Sequence, residues 1–217
     1  MGVLKYVIAG IIYVTLLPLS YGQNSDNLII VIDPGHGGID TGAMGVNGAI
    51  EKDIVLSIAK KIDSLNTNLY DDRFEIYLTR YRDTLISLGD RTELAKRLNS
   101  DIFISLHCNQ AVNKNAKGIE VYVNEKRKRF SKSSVRLASI MQHELNNMLG
   151  FRSRGVKSAN FQVLRETTNS CPAVLLELGF LSSDDEAEHL ANAKKHNGLA
   201  IAIISSVIRK RYDGRDF

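Results

Sequence analysis

Proline is scarce in this chain, 3 in 217 residues, and cysteine scarcer still, at 2. No proline-rich linker divides it, and two thiols cannot form a multi-cysteine metal cluster or a disulfide scaffold. Aromatic residues make up 7% and form no stacking motif, and no nucleic-acid reader motif accompanies the basic runs Lys126–Arg129 and Arg209–Arg211. The net charge of +4 suits approach to an anionic polymer and equally a solvated surface. Nucleic acid is therefore not an expected partner. What is present is ordinary for a globular domain: 44% apolar and 24% charged residues, enough to fill one core.

The N-terminal segment reads differently from the rest. Lys5 precedes an uncharged run from Tyr6 to Leu19, and Ser20-Tyr21-Gly22 then gives a small-x-small triplet. That order is the pattern of a secretory signal peptide. The run is short for a membrane span of about 20 residues, and Pro18 interrupts it. The expectation is a signal at residues 1–22 and a mature domain at 23–217, exported to the periplasm or the cell wall and without stable membrane association once cleaved. Retention of the segment as an anchor is the alternative. No lipoprotein anchor is expected, because no cysteine stands near the end of the run.

Along the mature chain, apolar strands alternate with amphipathic helices. Strands are expected at Asn27–Asp33, Phe74–Thr79, Asp101–His107, Gly118–Val123 and Ala173–Leu178, with a short one at Phe161–Leu164. Helices are expected at Ile50–Leu65, Ile86–Leu98, Ser131–Leu149 and Asn192–Arg209. Several strands are apolar throughout, which predicts an α/β three-layer sandwich: about six mostly parallel strands with helices on both faces. Cys108 would then leave the sheet at one end and Cys171 enter at the other, about 17 Å apart at about 3.3 Å per residue. A disulfide requires Cα atoms within about 7 Å, so two buried free thiols are expected.

Four ionisable residues carry the chemistry. His36 follows the first strand inside Asp33-Pro34-Gly35-His36-Gly37-Gly38, and His107 ends the third, so parallel strands bring both to the carboxyl edge where open α/β sheets bind ligands. Glu51 falls on the core-facing line Glu51, Val55, Ile58, Ile62, where a carboxylate must be paired or bound to a cation. Two histidines and one carboxylate form the donor set of catalytic zinc sites that leave a fourth position for water. Glu177 interrupts the apolar strand Ala173–Leu178; burial raises a carboxyl pKa toward the range of a general base. Each residue also has a plainer reading: His36 as a turn histidine, Glu51 as a helix N-terminal acid, His107 as a rim histidine, Glu177 as the partner of Arg80 or Arg91. His143, His189 and His196 are read as surface residues.

The residues above sit in a larger pattern. Ile32–Gly38 with Asp40 and Gly42, Glu51-Lys52-Asp53, Leu78-Thr79-Arg80 with Asp83 and Arg91, Ser105–Asn109, Gly118–Val121, Val163-Leu164-Arg165 and Pro172–Leu181 follow one another in order. Together they resemble the zinc-dependent N-acetylmuramoyl-L-alanine amidases over about Leu28 to Val207. The resemblance implies one Zn²⁺ held by His36, Glu51 and His107, and Glu177 as the catalytic glutamate. It further implies peptidoglycan as substrate, cut between the lactyl group of N-acetylmuramic acid and L-alanine during wall remodelling or daughter-cell separation. Alternatives are another zinc peptidoglycan peptidase, or a non-catalytic wall-binding protein on the same scaffold. Some amidases of this kind carry a plugging helix after the strand matching Gly118–Val123. Here Asn124–Phe130 is too short for one, so no activator protein is expected to be needed.

Overall fold

In the computed structural model, residues 27–213 are described, and the signal-peptide reading of residues 1–22 lies outside them. Six strands and six helices follow in the order β1 Leu28–Pro34, α1 Glu51–Tyr70, β2 Phe74–Leu78, α2 Leu88–Arg97, β3 Ile102–Asn109, β4 Ile119–Asn124, α3 Ser131–Leu149, β5 Ser153–Ala159, α4 Gln162–Thr167, β6 Ala173–Phe180, α5 Asp184–Ala191 and α6 His196–Asp213. They form one sheet of order β2-β1-β3-β6-β4-β5. The first four strands in that order are parallel; β4 runs against β6, and β5 follows β4.

The helices divide unequally between the two faces. On one face α1, α3 and α6 bury Val55, Ile58, Ile62, Leu137, Met141, Leu145, Ile203 and Ile204 against the even-numbered residues of β1 and β3. On the other, α2 and the single-turn-and-a-half α4 cover a smaller cluster of Val31, Phe103, Leu175, Ala95, Val163 and Leu164. The light cover matters, because it leaves a cleft between α2 and α4 down to the sheet. Helix α1 has no side-chain cap at Ile50, an omission worth about 1 kcal/mol. Its buried Ile54, Val55, Ile58 and Ile62 contribute about 1.5–3 kcal/mol each, so packing decides the helix.

Several expectations required correction. Phe161–Leu164 is not a strand: Phe161 is the N-cap of α4, which buries Val163 and Leu164 on one side. Four residues are too few for the two periodicities to differ. The sixth strand is instead β5, a polar edge strand without an apolar run. Helix α5 was not foreseen, and α6 starts at His196 after a turn at 192–195. His196 is not a surface residue. It is buried, bonded through Nδ1 to Ser57 Oγ (2.8 Å) and through Nε2 to the Leu190 carbonyl (2.7 Å), locking α6 to α1 and α5. His189 is half-buried with its ring edge against Phe151, whereas His143 is exposed as expected.

Cys108 and Cys171 are both free and buried. Burial pushes the Cys108 thiol well up, and the Cys171 thiol to about 11 despite a hydrogen bond with Ser100. Thiolate-specific reagents should therefore leave the native protein unlabelled at neutral pH and label both thiols after denaturation. Mass spectrometry before and after guanidinium treatment reads this; rapid native labelling would contradict the packing.

Candidate active site

Two buried arginines fix the chain as it leaves β1. Arg91 donates from Nη1 to Asp33 Oδ1 (2.6 Å) and the Pro34 carbonyl (2.9 Å), and from Nη2 to the His36 carbonyl (2.7 Å). Arg80 donates to the carbonyls of Pro34 (3.0 Å), Gly35 (2.8 Å) and Lys52 (2.8 Å). Asp33 also accepts from Thr79 Oγ1 and Ser105 Oγ, so its carboxylate is fully engaged. This clamp holds His36 at φ 59°, the left-handed region that a side chain rarely adopts.

Glycines then let the side chains converge. A Cβ on Gly35 would lie 2.3 Å from His107 Cε1, and one on Gly42 would lie 2.5 Å from Glu51 Oε2 and 2.6 Å from His36 Cδ2. Only glycine leaves room for both rings and the carboxylate.

The result is a compact triad. Glu51 Oε1 stands 3.1 Å from His36 Nε2 and 2.9 Å from His107 Nδ1, with the two rings edge-on at 4.9 Å between centroids. The carboxylate also accepts the backbone N–H groups of Cys108 (2.9 Å) and Ala43 (2.7 Å). Burial opposes the charge on Glu51, but hydrogen bonds from His107 and His36 outweigh it and hold the carboxyl far below the usual range. His36 Nδ1 lies 2.9 Å from Asp40, which fixes the ring and leaves Nε2 facing inward. Burial alone would lower the His36 pKa; Glu51 and Asp40 raise it. One donor atom from each of His36, Glu51 and His107 lies within 4.8 Å of the others, so the three can grip one metal ion.

Glu177 lies beside them, paired in register with His107 across β3 and β6. Neither Arg80 nor Arg91 reaches it. Its Oε2 is buried without a hydrogen-bond partner, and burial pushes its pKa up to about 7. The same face opens into a cavity of about 690 Å³ lined by His36, His107, Glu177 and Arg91, with Ile86 and Leu88 on the α2 side and Phe161 and Val163 on the α4 side.

Known proteins resemble the chain over most of its length. Residues 30–209 match the family described as N-acetylmuramoyl-L-alanine amidase. The chain belongs to that family. The amidase AmiA of Escherichia coli is 32% identical over 83% of this chain and 75% of its own length. The solved structure of an N-acetylmuramoyl-L-alanine amidase from Clostridium difficile 630 superposes with a TM-score of 0.79 at 34% identity, covering 88% of this chain and 99% of that one. The CwlD amidase of Clostridioides difficile, solved in complex with the GerS lipoprotein, gives 0.78 at 27% identity over 87% and 100%. As an N-acetylmuramoyl-L-alanine amidase, the chain is a hydrolase of the peptidoglycan wall, and its single α/β domain is the amidase catalytic fold.

Sequence reasoning brought all four chemical residues to one rim, but it missed the scaffold behind them. The motif contains Asp40 without assigning it a role, and the sequence reading leaves Glu120 without one. Glu120 is buried and interrupts an apolar strand as Glu177 does, the signal by which it could have been found. The clamp gives a direct prediction. Arg91→Ala leaves Asp33 buried without its cation and should cost about 3–5 kcal/mol in denaturant unfolding, with Arg91→Lys recovering only part. A loss under about 1 kcal/mol would show that Arg91 does not anchor the loop.

Proposed function

We propose that the amidase works with one zinc ion held by His36, Glu51 and His107, and with Glu177 as its general base and acid. The observation that carries the reading is Glu177 itself: a carboxylate in register with His107, opening onto the cavity, with a buried oxygen that no protein group satisfies. The donor set supports zinc, since two imidazoles and one carboxylate are a usual trio for a catalytic site with an open fourth position. Bound there, zinc supplies a Lewis acid for the scissile carbonyl and lowers the pKa of water toward about 7.

The residues of the chain do the rest. Asp40 keeps the His36 tautomer, and Glu51, oriented by the Cys108 and Ala43 amides, contributes the negative charge of the set. Glu177 takes a proton from the attacking water on its carboxylate and returns it to the alanine nitrogen as the C–N bond breaks. A pKa near 7 suits both halves of that task, because neither protonation state is far from reach. No covalent enzyme intermediate is required; Ser105 is fully buried and committed to Asp33.

Two further readings concern the setting. Export through cleavage at residues 1–22 accords with a substrate outside the cytoplasm, and among the described residues no helix is long and apolar enough to cross a membrane. Independence from an activator is supported by the segment between β4 and α3, a turn without helix, and by the open cavity. The competing peptidase reading would release an amino acid from the peptide end.

The test is mass spectrometry of peptidoglycan digested by the purified protein alone. Wild type should release free stem peptides beginning with L-alanine without any partner protein. Glu177→Gln should reduce that release by about 10²–10⁴-fold while retaining one zinc per chain. Release of amino acids from the far end of the peptide would contradict the reading, and so would full activity in the Glu177→Gln variant.

A further inference from the structure

Beyond Glu177 the sheet continues as β4 and β5, and its cavity-side surface there is charged. Glu120 on β4 lies directly opposite Glu177 on β6 and is buried, with 3% of its side chain exposed. Its Oε1 accepts from Arg154 Nε and from Lys157 Nζ, both at 2.6 Å on β5; its Oε2 accepts from Tyr122 OH (2.7 Å) and Asn109 Nδ2 (3.0 Å). All four partners are thus aimed from one buried anchor. Arg154 is braced further by the Lys117 carbonyl and lies over the Phe180 ring at 5.0 Å, and Lys157 lies over Tyr122 at 6.0 Å. Tyr122 in turn packs edge-on against Phe161, a wall of the catalytic cavity.

The charge does not cancel. Two cations share one carboxylate, and a third of each cationic side chain is exposed. Facing strands place Glu120 about 5 Å from Glu177, and β5 lies about 5 Å further, so the cations start about 10 Å from the catalytic glutamate. An extended peptide advances about 3.5 Å per residue, so the residue after L-alanine spans about 3.5–7 Å from the scissile nitrogen. Long cationic side chains span the difference.

We propose that Arg154 and Lys157, positioned by Glu120, bind the free α-carboxylate of the γ-linked glutamate that follows L-alanine in the stem peptide. This rests on the amidase reading, with the peptide leaving across β6 toward β5. Arg154 and Lys157 are then specificity determinants that separate walls with a free carboxylate at that residue from walls in which it is amidated.

The experiment uses two muramoyl tripeptides that differ only in carrying an α-carboxylate or an α-carboxamide on the second residue, with kcat and KM measured for each. Wild type should favour the carboxylate by about tenfold or more in kcat/KM, mainly through KM, as a charge-assisted hydrogen bond allows. Arg154→Gln and Lys157→Gln should move that ratio toward one, and Arg154→Lys should keep part of it. Thermal melting confirms that the variants fold; Glu120 retains Tyr122, Asn109 and one cation in each. A wild-type ratio near one, or a ratio unchanged in the variants, overturns the subsite and leaves the amidase reading standing. Failure of wild type to release peptide from either compound overturns both.

Discussion

A carboxylate with almost no contact with water has to be met by donors or by positive charge, and Glu51 is the point at which this fold satisfies that requirement. It is the first residue of a helix, yet it points along the buried stripe instead of outward into the dipole field. Two imidazoles and two backbone amides close on it. Every other feature of the rim serves that convergence: the glycines that make space, the left-handed backbone at His36, and the paired arginines that hold the loop from behind.

The neighbourhood separates three glutamates by environment alone. Glu51 is surrounded by donors and stays ionised. Glu120 is as buried, but hydrogen bonds from Lys157, Arg154 and Tyr122 outweigh burial and lower its pKa. Glu177 has burial without comparable partners, and its pKa rises to about 7. On the proposed reading proton transfer falls to the third, and the other two are fixed charges around it. The thin helical cover on this face completes the design, since α4 is too short to close the cleft over the sheet.

Much of the site was legible because the parallel strands announce themselves as apolar runs. Once Asn27–Asp33 and Asp101–His107 are parallel neighbours, His36 and His107 share an edge, and Glu51 follows from helical spacing. Glu177 stands out against its apolar strand. The parts that escaped were those with no periodic signal. The strand β5 is polar because its side chains answer Glu120 instead of entering the core, and α4 is too short for its three buried residues to fix a period. His196 looked like surface because its neighbours in sequence are charged, whereas its partners Ser57 and Leu190 are distant or on another helix. Tertiary hydrogen bonds of that kind leave no trace in local pattern.

Zinc-edge X-ray absorption of the metal-loaded protein tests the central claim most directly. The account predicts one ion per chain with two imidazole nitrogens at about 2.0–2.1 Å and a carboxylate oxygen at about 2.0–2.2 Å. Replacing His36, Glu51 or His107 singly should remove one scatterer of the matching kind. A shell containing sulfur, or one unchanged by all three replacements, would place the ion elsewhere and contradict it.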